Sequence, residues 1–245
     1  GSVEDVSVSG GKIKLAGKGG FWEQERLSLA PSTFNYGASF AKVDSTNKLY
    51  TFRGSNSNTF YEYDITTDTW TTRANTPAAV YQGGDLVEGP NGYLYGFPGR
   101  NLTSFWRYDI ANDTWSDESA ADAPTTLYYG SSMVFDGSRY IYVLRGNTDD
   151  AFYRYDTQED SWESLANTDF GATQNQPNNN VYIGGDLTYD GNDLIYAIQG
   201  NTYTGLAVYS ISANSWTVME NLPVMPYDGS QIAYDSDSNA LYDIS

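Results

Sequence analysis

One motif, written four times, constrains this chain more than any other feature. Phe60-Tyr61-Glu62-Tyr63-Asp64 runs to Trp70, and Phe105-Trp106-Arg107-Tyr108-Asp109 runs to Trp115. Phe152-Tyr153-Arg154-Tyr155-Asp156 runs to Trp162, and Ala207-Val208-Tyr209-Ser210 to Trp216. The tryptophans are 45, 47 and 54 residues apart. A period of that length marks a unit that cannot bury its apolar face alone and is stacked on copies of itself. Since the repeat covers nearly all of the 245 residues, a single domain is expected over 1–245.

Each unit reads as four short strands. The first begins at a small-residue pair: Gly37-Ala38, Gly83-Gly84, Gly130-Ser131, Gly184-Gly185 and Gly229-Ser230. Small residues suit an innermost strand where backbones crowd around an axis. A turn such as Asp136-Gly137-Ser138 or Asp190-Gly191-Asn192 leads to a second apolar strand, for example Ile141-Tyr142-Val143-Leu144. The third strand carries the aromatic-x-Tyr-Asp motif and the fourth carries the tryptophan. Aromatic and β-branched runs without helical periodicity predict an all-β protein.

Counting units gives five. Four occupy about 32–70, 71–115, 116–162 and 163–216; a fifth, from 217 to 245, has only its first two strands. The N-terminus holds spare ones at Lys12-Ile13-Lys14-Leu15 and Gly20-Phe21-Trp22-Glu23, and Trp22 lies 48 residues before Trp70. The expectation is a five-bladed β-propeller of four-stranded antiparallel blades, its last blade completed by residues 3–31, which removes two sheet edges. Val3 to Ser9 could add an extra strand.

The apolar strand before a glycine, the Tyr-Asp pair and the Trp seven residues after Tyr resemble the Kelch-repeat propellers, over about residues 20 to 245. The chain departs from that pattern after the second strand, where Arg53-Gly54, Pro98-Gly99, Arg145-Gly146 and Gln199-Gly200 replace the usual Gly-Gly. Five blades are also fewer than the six or seven common in that family. The resemblance implies the fold and transfers no active site. Galactose-oxidase-like relatives use copper held by Cys and His, and this chain has neither.

Composition narrows the chemistry. Without cysteine or histidine there is no disulfide, thiol nucleophile, zinc thiolate site or Ser-His-Asp triad. Calcium stays open, since it needs only oxygen ligands. A net charge of −18 opposes nucleic acid and anionic membranes, and suits a soluble acidic surface. No apolar run reaches the roughly 18 residues of a membrane span. Gly1-Ser2 reads as a cloning scar, so a natural leader could have been cut away. Asn101-Leu102-Thr103 and Asn112-Asp113-Thr114 fit the N-glycosylation pattern.

Aligning the units at the small pair puts Asn35, Tyr81, Tyr128, Tyr182 and Tyr227 at one position. Arg53, Arg145 and Gln199 end second strands on the same loop face. A ring of tyrosines beside cationic and amide groups suits sugars or peptides. The same residues equally suit packing between blades, with the arginines bonding backbone carbonyls or a neighbouring Asp. The long segment 168–180 offers amides and Phe170 as a stacking platform, or is a plain insertion. Asp64, Asp109 and Asp156 read as turn formers, and the tryptophans as packing between blades. Asp85 and Asp186 share an inner-strand position with Ser39, Ser132 and Gln231, and could serve as acid and base or bind calcium.

The leading expectation is a non-catalytic recognition module, extracellular or on a cell surface, with a glycan or protein ligand. The alternatives are a polysaccharide-active enzyme using carboxylates, and a structural subunit that self-assembles through its closing blade.

Overall fold

A computed structural model describes residues 28–116, 120–171 and 178–244. Four antiparallel four-stranded sheets follow one another along the chain, and a two-stranded sheet ends it. The first holds β1 (Phe40–Val43), β2 (Lys48–Phe52), β3 (Phe60–Asp64) and β4 (Thr69–Arg73). The second holds β5 (Asp85–Glu88), β6 (Tyr93–Phe97), β7 (Trp106–Asp109) and β8 (Thr114–Ser116). The third holds β9 (Ser132–Phe135), β10 (Tyr140–Leu144), β11 (Phe152–Asp156) and β12 (Ser161–Ser164). The fourth holds β13 (Asp186–Tyr189), β14 (Leu194–Gly200), β15 (Tyr203–Ser210) and β16 (Ser215–Val218). The last pairs β17 (Gln231–Asp235) with β18 (Ala240–Ile244). The expected strands 12–15 and 20–23, and the extra one at 3–9, lie outside the described residues.

Burial explains the sequence pattern. The second strands of the four-stranded sheets are largely covered on both faces, so they read as apolar runs: Ile141, Tyr142, Val143 and Leu144 are all fully buried. The fourth strands are edges, mostly exposed, and their tryptophans are half-buried. Three of them, Trp115, Trp162 and Trp216, pack on the sheet before their own. Trp115 lies 5.0 Å edge-on from Phe60, Trp162 5.0 Å from Phe105, and Trp216 5.1 Å from Phe152. The indole N–H also reaches backwards, from Trp162 to the Ala121 carbonyl at 2.7 Å. Trp162→Phe keeps most of the ring contact but orphans that carbonyl. It is expected to cost about 1–2 kcal/mol, measurable by denaturant unfolding.

The turn role of the repeated aspartates holds. Asp64 accepts the N–H groups of Thr66 and Thr67, Asp109 that of Asn112, and Asp156 those of Gln158 and Glu159.

The small pairs differ from expectation. They precede the innermost strands instead of beginning them. Gly37, Gly83, Gly130, Gly184 and Gly229 all have φ between +70° and +86°, in a tight turn that only glycine enters freely. Crowding comes from the next sheet's backbone. A Cβ on Gly37 would fall 1.9 Å from the Tyr81 carbonyl oxygen; on Gly83, 1.9 Å from that of Tyr128; on Gly130, 1.8 Å from that of Tyr182. The innermost strands β1, β5, β9, β13 and β17 pack successively against one another. Residues from all five sheets line a narrow axial channel of about 150 Å³.

Candidate functional site

The loops between second and third strands build one end of the assembly by a shared device. After each second strand the chain passes through three residues with positive φ: Gly54-Ser55-Asn56, Gly99-Arg100-Asn101, Gly146-Asn147-Thr148 and Gly200-Asn201-Thr202. Left-handed geometry costs a non-glycine residue about 1–2 kcal/mol, and hydrogen bonds offset it. The first polar residue bonds its own sheet's entry: Ser55 N–H to the Tyr36 carbonyl at 2.9 Å, Asn147 N–H to that of Tyr129 at 2.7 Å. The second bonds the next sheet: Asn56 to Val80 at 2.9 Å, Asn101 to Leu127 at 3.0 Å, Thr148 to Val181 at 2.9 Å, Thr202 to Pro226 at 2.8 Å. The turns therefore stitch neighbouring sheets together and set amide and hydroxyl side chains around a rim. Sequence reasoning passed over these residues, although the repeated polar dipeptide after the second-strand glycine was their signal.

The aligned tyrosines do reach this face. Tyr81, Tyr128 and Tyr182 are half-buried and Tyr227 is 61% exposed. Their repeated structural contact is made by the backbone carbonyl against the preceding glycine, which leaves the rings free to differ. Tyr81 meets Tyr36 at 6.0 Å, Tyr182 meets Tyr203 at 5.1 Å, and the Tyr128 hydroxyl bonds that of Tyr129 at 3.0 Å. That hydroxyl pair pushes the Tyr128 phenol up to about 12.

Three other expectations need correcting. Phe170 is 1% exposed and sits in the core with Phe152 and Val181, so it is no ligand platform. Its burial anchors the long loop. Gln199 is fully buried and donates from Nε2 to the carbonyls of Asn178 and Asn180, both at 3.0 Å, pinning the loop's far end. Arg53 and Arg145 are half-buried braces. Arg53 Nε bonds Ser32 Oγ at 2.8 Å, and Arg145 Nε bonds Thr125 Oγ1 at 3.2 Å. Arg145 also pairs with Asp149 of its own sheet. Hydroxyls near the start of each sheet take these guanidiniums, where backbone carbonyls or a neighbouring sheet's Asp were the expected partners.

Between the third and fourth sheets the face holds a hollow of about 350 Å³. Tyr129 and Tyr182 line it with Gln82, Asn147, Thr148 and Asn201, all uncharged. Asn178 exchanges hydrogen bonds with the Tyr182 hydroxyl at 3.0 and 3.1 Å and so orients the ring.

The axial position forms a belt. Ser39 Oγ donates to Asp85 Oδ1 at 2.5 Å, and Asp85 Oδ2 accepts the Met133 N–H at 2.8 Å. Ser132 Oγ donates to Asp186 Oδ1 at 2.7 Å, and Asp186 Oδ2 accepts the Ile232 N–H at 2.9 Å. Each carboxylate thus links three successive sheets, with both oxygens engaged. The serine–aspartate alternation at aligned positions was the sequence signal for this lacing. Both residues are half-buried by exposed area, yet protein crowds the carboxyls themselves. Burial raises Asp85 to about 6 and Asp186 to about 7, against the pull of these hydrogen bonds; the charge of Asp85 adds to the rise at Asp186. Among the described residues no group of three or more acidic side chains gathers to hold a metal ion. No helix among them is long and apolar enough to cross a membrane.

Comparison with known proteins finds no family model that matches the chain and no curated relative, so the functional argument rests on this geometry.

Proposed function

We propose that the chain is a non-catalytic recognition module of a secreted or cell-surface protein, binding a glycan or a protein segment on its loop face. The scaffold in this reading is a five-bladed, Kelch-like propeller whose last blade is completed by the N-terminal strands. The observation that carries the reading is the uncharged hollow beside Tyr129 and Tyr182. Aromatic faces stack on the C–H faces of sugars, and surrounding amides pair with hydroxyls. A neutral site on a chain of net charge −18 fits an uncharged ligand better than an anion.

A glycan array, run with and without calcium, is the direct test. Tyr182→Ala is expected to weaken binding at least tenfold, about 1.4 kcal/mol, without unfolding the protein. Unchanged affinity in both Tyr81→Ala and Tyr182→Ala would exclude this face. A blank array, with binding to a surface protein that Tyr182→Ala abolishes, would fix the ligand class as protein.

A second reading, assembly through the last sheet, is favoured by one observation, the 55% exposure of Tyr242 on β18. A strictly monomeric species at high concentration would exclude it.

A further inference from the structure

The axial channel does not end at the serine–aspartate belt. The innermost strands lead away from the loop face, and past the belt they open into a second, wider well of about 530 Å³. Ser39, Asp85, Ser132, Asp186 and Gln231 border both spaces, so the belt is the waist between them.

The well differs in chemistry from the mouth above it. Glycines and polar side chains crowd the mouth. The well is walled by Val87, Met133, Val134, Phe135, Leu187 and Tyr189, from three neighbouring sheets. Strand alternation puts Val87 and Val134 on the same face as Asp85 and Ser132, two residues earlier, and both valines stay half-buried. Apolar walls around a few convergent polar groups are the features of a small-molecule site, which typically encloses about 300–1,000 Å³.

The polar groups at the waist select the class of ligand. Among the residues lining the well Asp85, Glu88 and Asp186 are acidic, and Lys42 alone is basic. Lys42 and Glu88 stand three residues beyond the belt on β1 and β5, toward the outer rim, so the floor holds two acids and no base. A carboxylate has about four acceptor positions. Asp85 fills three, with Ser39 Oγ and the Leu86 N–H on Oδ1 and the Met133 N–H on Oδ2. Asp186 takes Ser132 Oγ and the Ile232 N–H, one on each oxygen. Both keep capacity for a further donor, and the Gln231 amide stands at the same level.

We infer that this well binds a small organic cation, a primary ammonium on an apolar chain, with its head at the belt and its chain along Val87, Val134 and Tyr189. The three N–H donors of the head meet acceptor positions that the belt leaves open. The ammonium also supplies the positive charge that the floor lacks, on a chain whose net charge of −18 already draws cations. A metal ion fits less well. No group of three or more acidic side chains gathers among the described residues, and the apolar walls offer no further oxygen ligands.

The site lies away from the loop face, so it is independent of the recognition reading. The probe is n-pentylammonium, with n-pentanol as its uncharged counterpart. Of the three methionines only Met133 lines the well, while Met219 and Met225 are exposed elsewhere. With methyl-labelled methionine, adding the amine is expected to shift the Met133 signal and leave the other two in place. Pentanol is expected to bind at least tenfold more weakly, because it makes no charge-assisted bond to a carboxylate. Asp186→Asn is expected to weaken the amine about tenfold and to leave pentanol unchanged.

The amine is also expected to bind about tenfold more tightly at pH 8 than at pH 5. Burial raises Asp85 to about 6 and Asp186 to about 7, so both carry protons at the lower pH and neither attracts a cation. Lys42 on β1, Glu88 on β5 and Tyr189 on β13 are the other titratable groups lining the well, and β9 and β17 contribute none. The combined Asp85→Asn and Asp186→Asn variant is expected to lose this pH dependence.

A Met133 signal that stays fixed at millimolar amine overturns the inference, and this measurement needs no variant to fold. Pentanol binding as tightly as the amine overturns it as well, since the well would then be merely apolar. Calcium that displaces the amine at a lower concentration overturns the organic class. A lysine blocked at both ends that binds more tightly than pentylammonium supports the site and gives its natural occupant as a protein side chain. Amine binding that persists while every glycan and protein assay of the loop face stays blank sinks the recognition reading alone.

Discussion

Gly130→Ala is expected to cost about 4 kcal/mol or more, a large share of the roughly 5–15 kcal/mol that holds a typical domain folded. Two penalties coincide at this position. Its φ of +70° is left-handed, which charges alanine about 1–2 kcal/mol before any contact is considered. The new methyl would then lie 1.8 Å from the Tyr182 carbonyl oxygen of the next sheet. Both partners are backbone, so no rotamer change relieves the overlap, and the third and fourth sheets would have to separate. Gly137→Ala isolates the first penalty. Its φ is +78°, but nothing lies within 4 Å of the added carbon, so the expected loss is about 1 kcal/mol. Denaturant unfolding of the two variants measures the difference, and equal losses would show that the carbonyl contact carries no weight.

That comparison also explains why the architecture was legible in the sequence while the binding face was less so. The Tyr-Asp-to-Trp spacing reports a rigid hairpin whose hydrogen bonds recur at every described joint, so each repeat repeats a physical contact. The small pairs were equally visible, but their cause was a carbonyl of the following sheet, and a sequence does not show which backbone atom approaches a glycine. The tyrosine ring was found by alignment because the backbone at that position is under the same constraint in each unit. Its side chains are not under that constraint, and Tyr128 and Tyr182 accordingly meet different partners. Phe170 and Gln199 were misjudged for a common reason. An aromatic in a long loop and a polar residue at the end of a strand look available for a ligand, whereas here Phe170 and, from β14, Gln199 fasten the loop to the core. The left-handed tripeptides went unread because an Asn-Thr pair after a glycine resembles any surface turn until its N–H groups are traced to the next sheet.

The axial belt gives the second large effect, and it runs against the usual acid sensitivity of proteins. Burial raises Asp186 to about 7 and Asp85 to about 6 in the folded chain, against about 3.9 for an unfolded aspartate. The fold therefore holds these protons more tightly than the unfolded chain does. Their contribution to stability is complete below about pH 4 and is lost as the pH rises through the folded values. Asp156 behaves oppositely: its bond to Arg139 holds it near 2, so its contribution is lost only as the pH falls through that value. Stability is expected to decline by about 2–3 kcal/mol between pH 4 and 8, a figure set below the full linkage value because the carboxyls line an open channel. Asp186→Asn tests the origin of the slope. An amide at this position can accept the Ile232 N–H and donate to Ser132 Oγ, whose hydroxyl is free to turn, so the belt keeps its bonds. The variant is expected to match the parent or fall slightly below it at pH 4, to exceed it at pH 8, and to remove about half of the decline in urea unfolding. A decline of unchanged size would mean that water in the channel already solvates Asp186, and that the belt is held by geometry without a penalty on its charge.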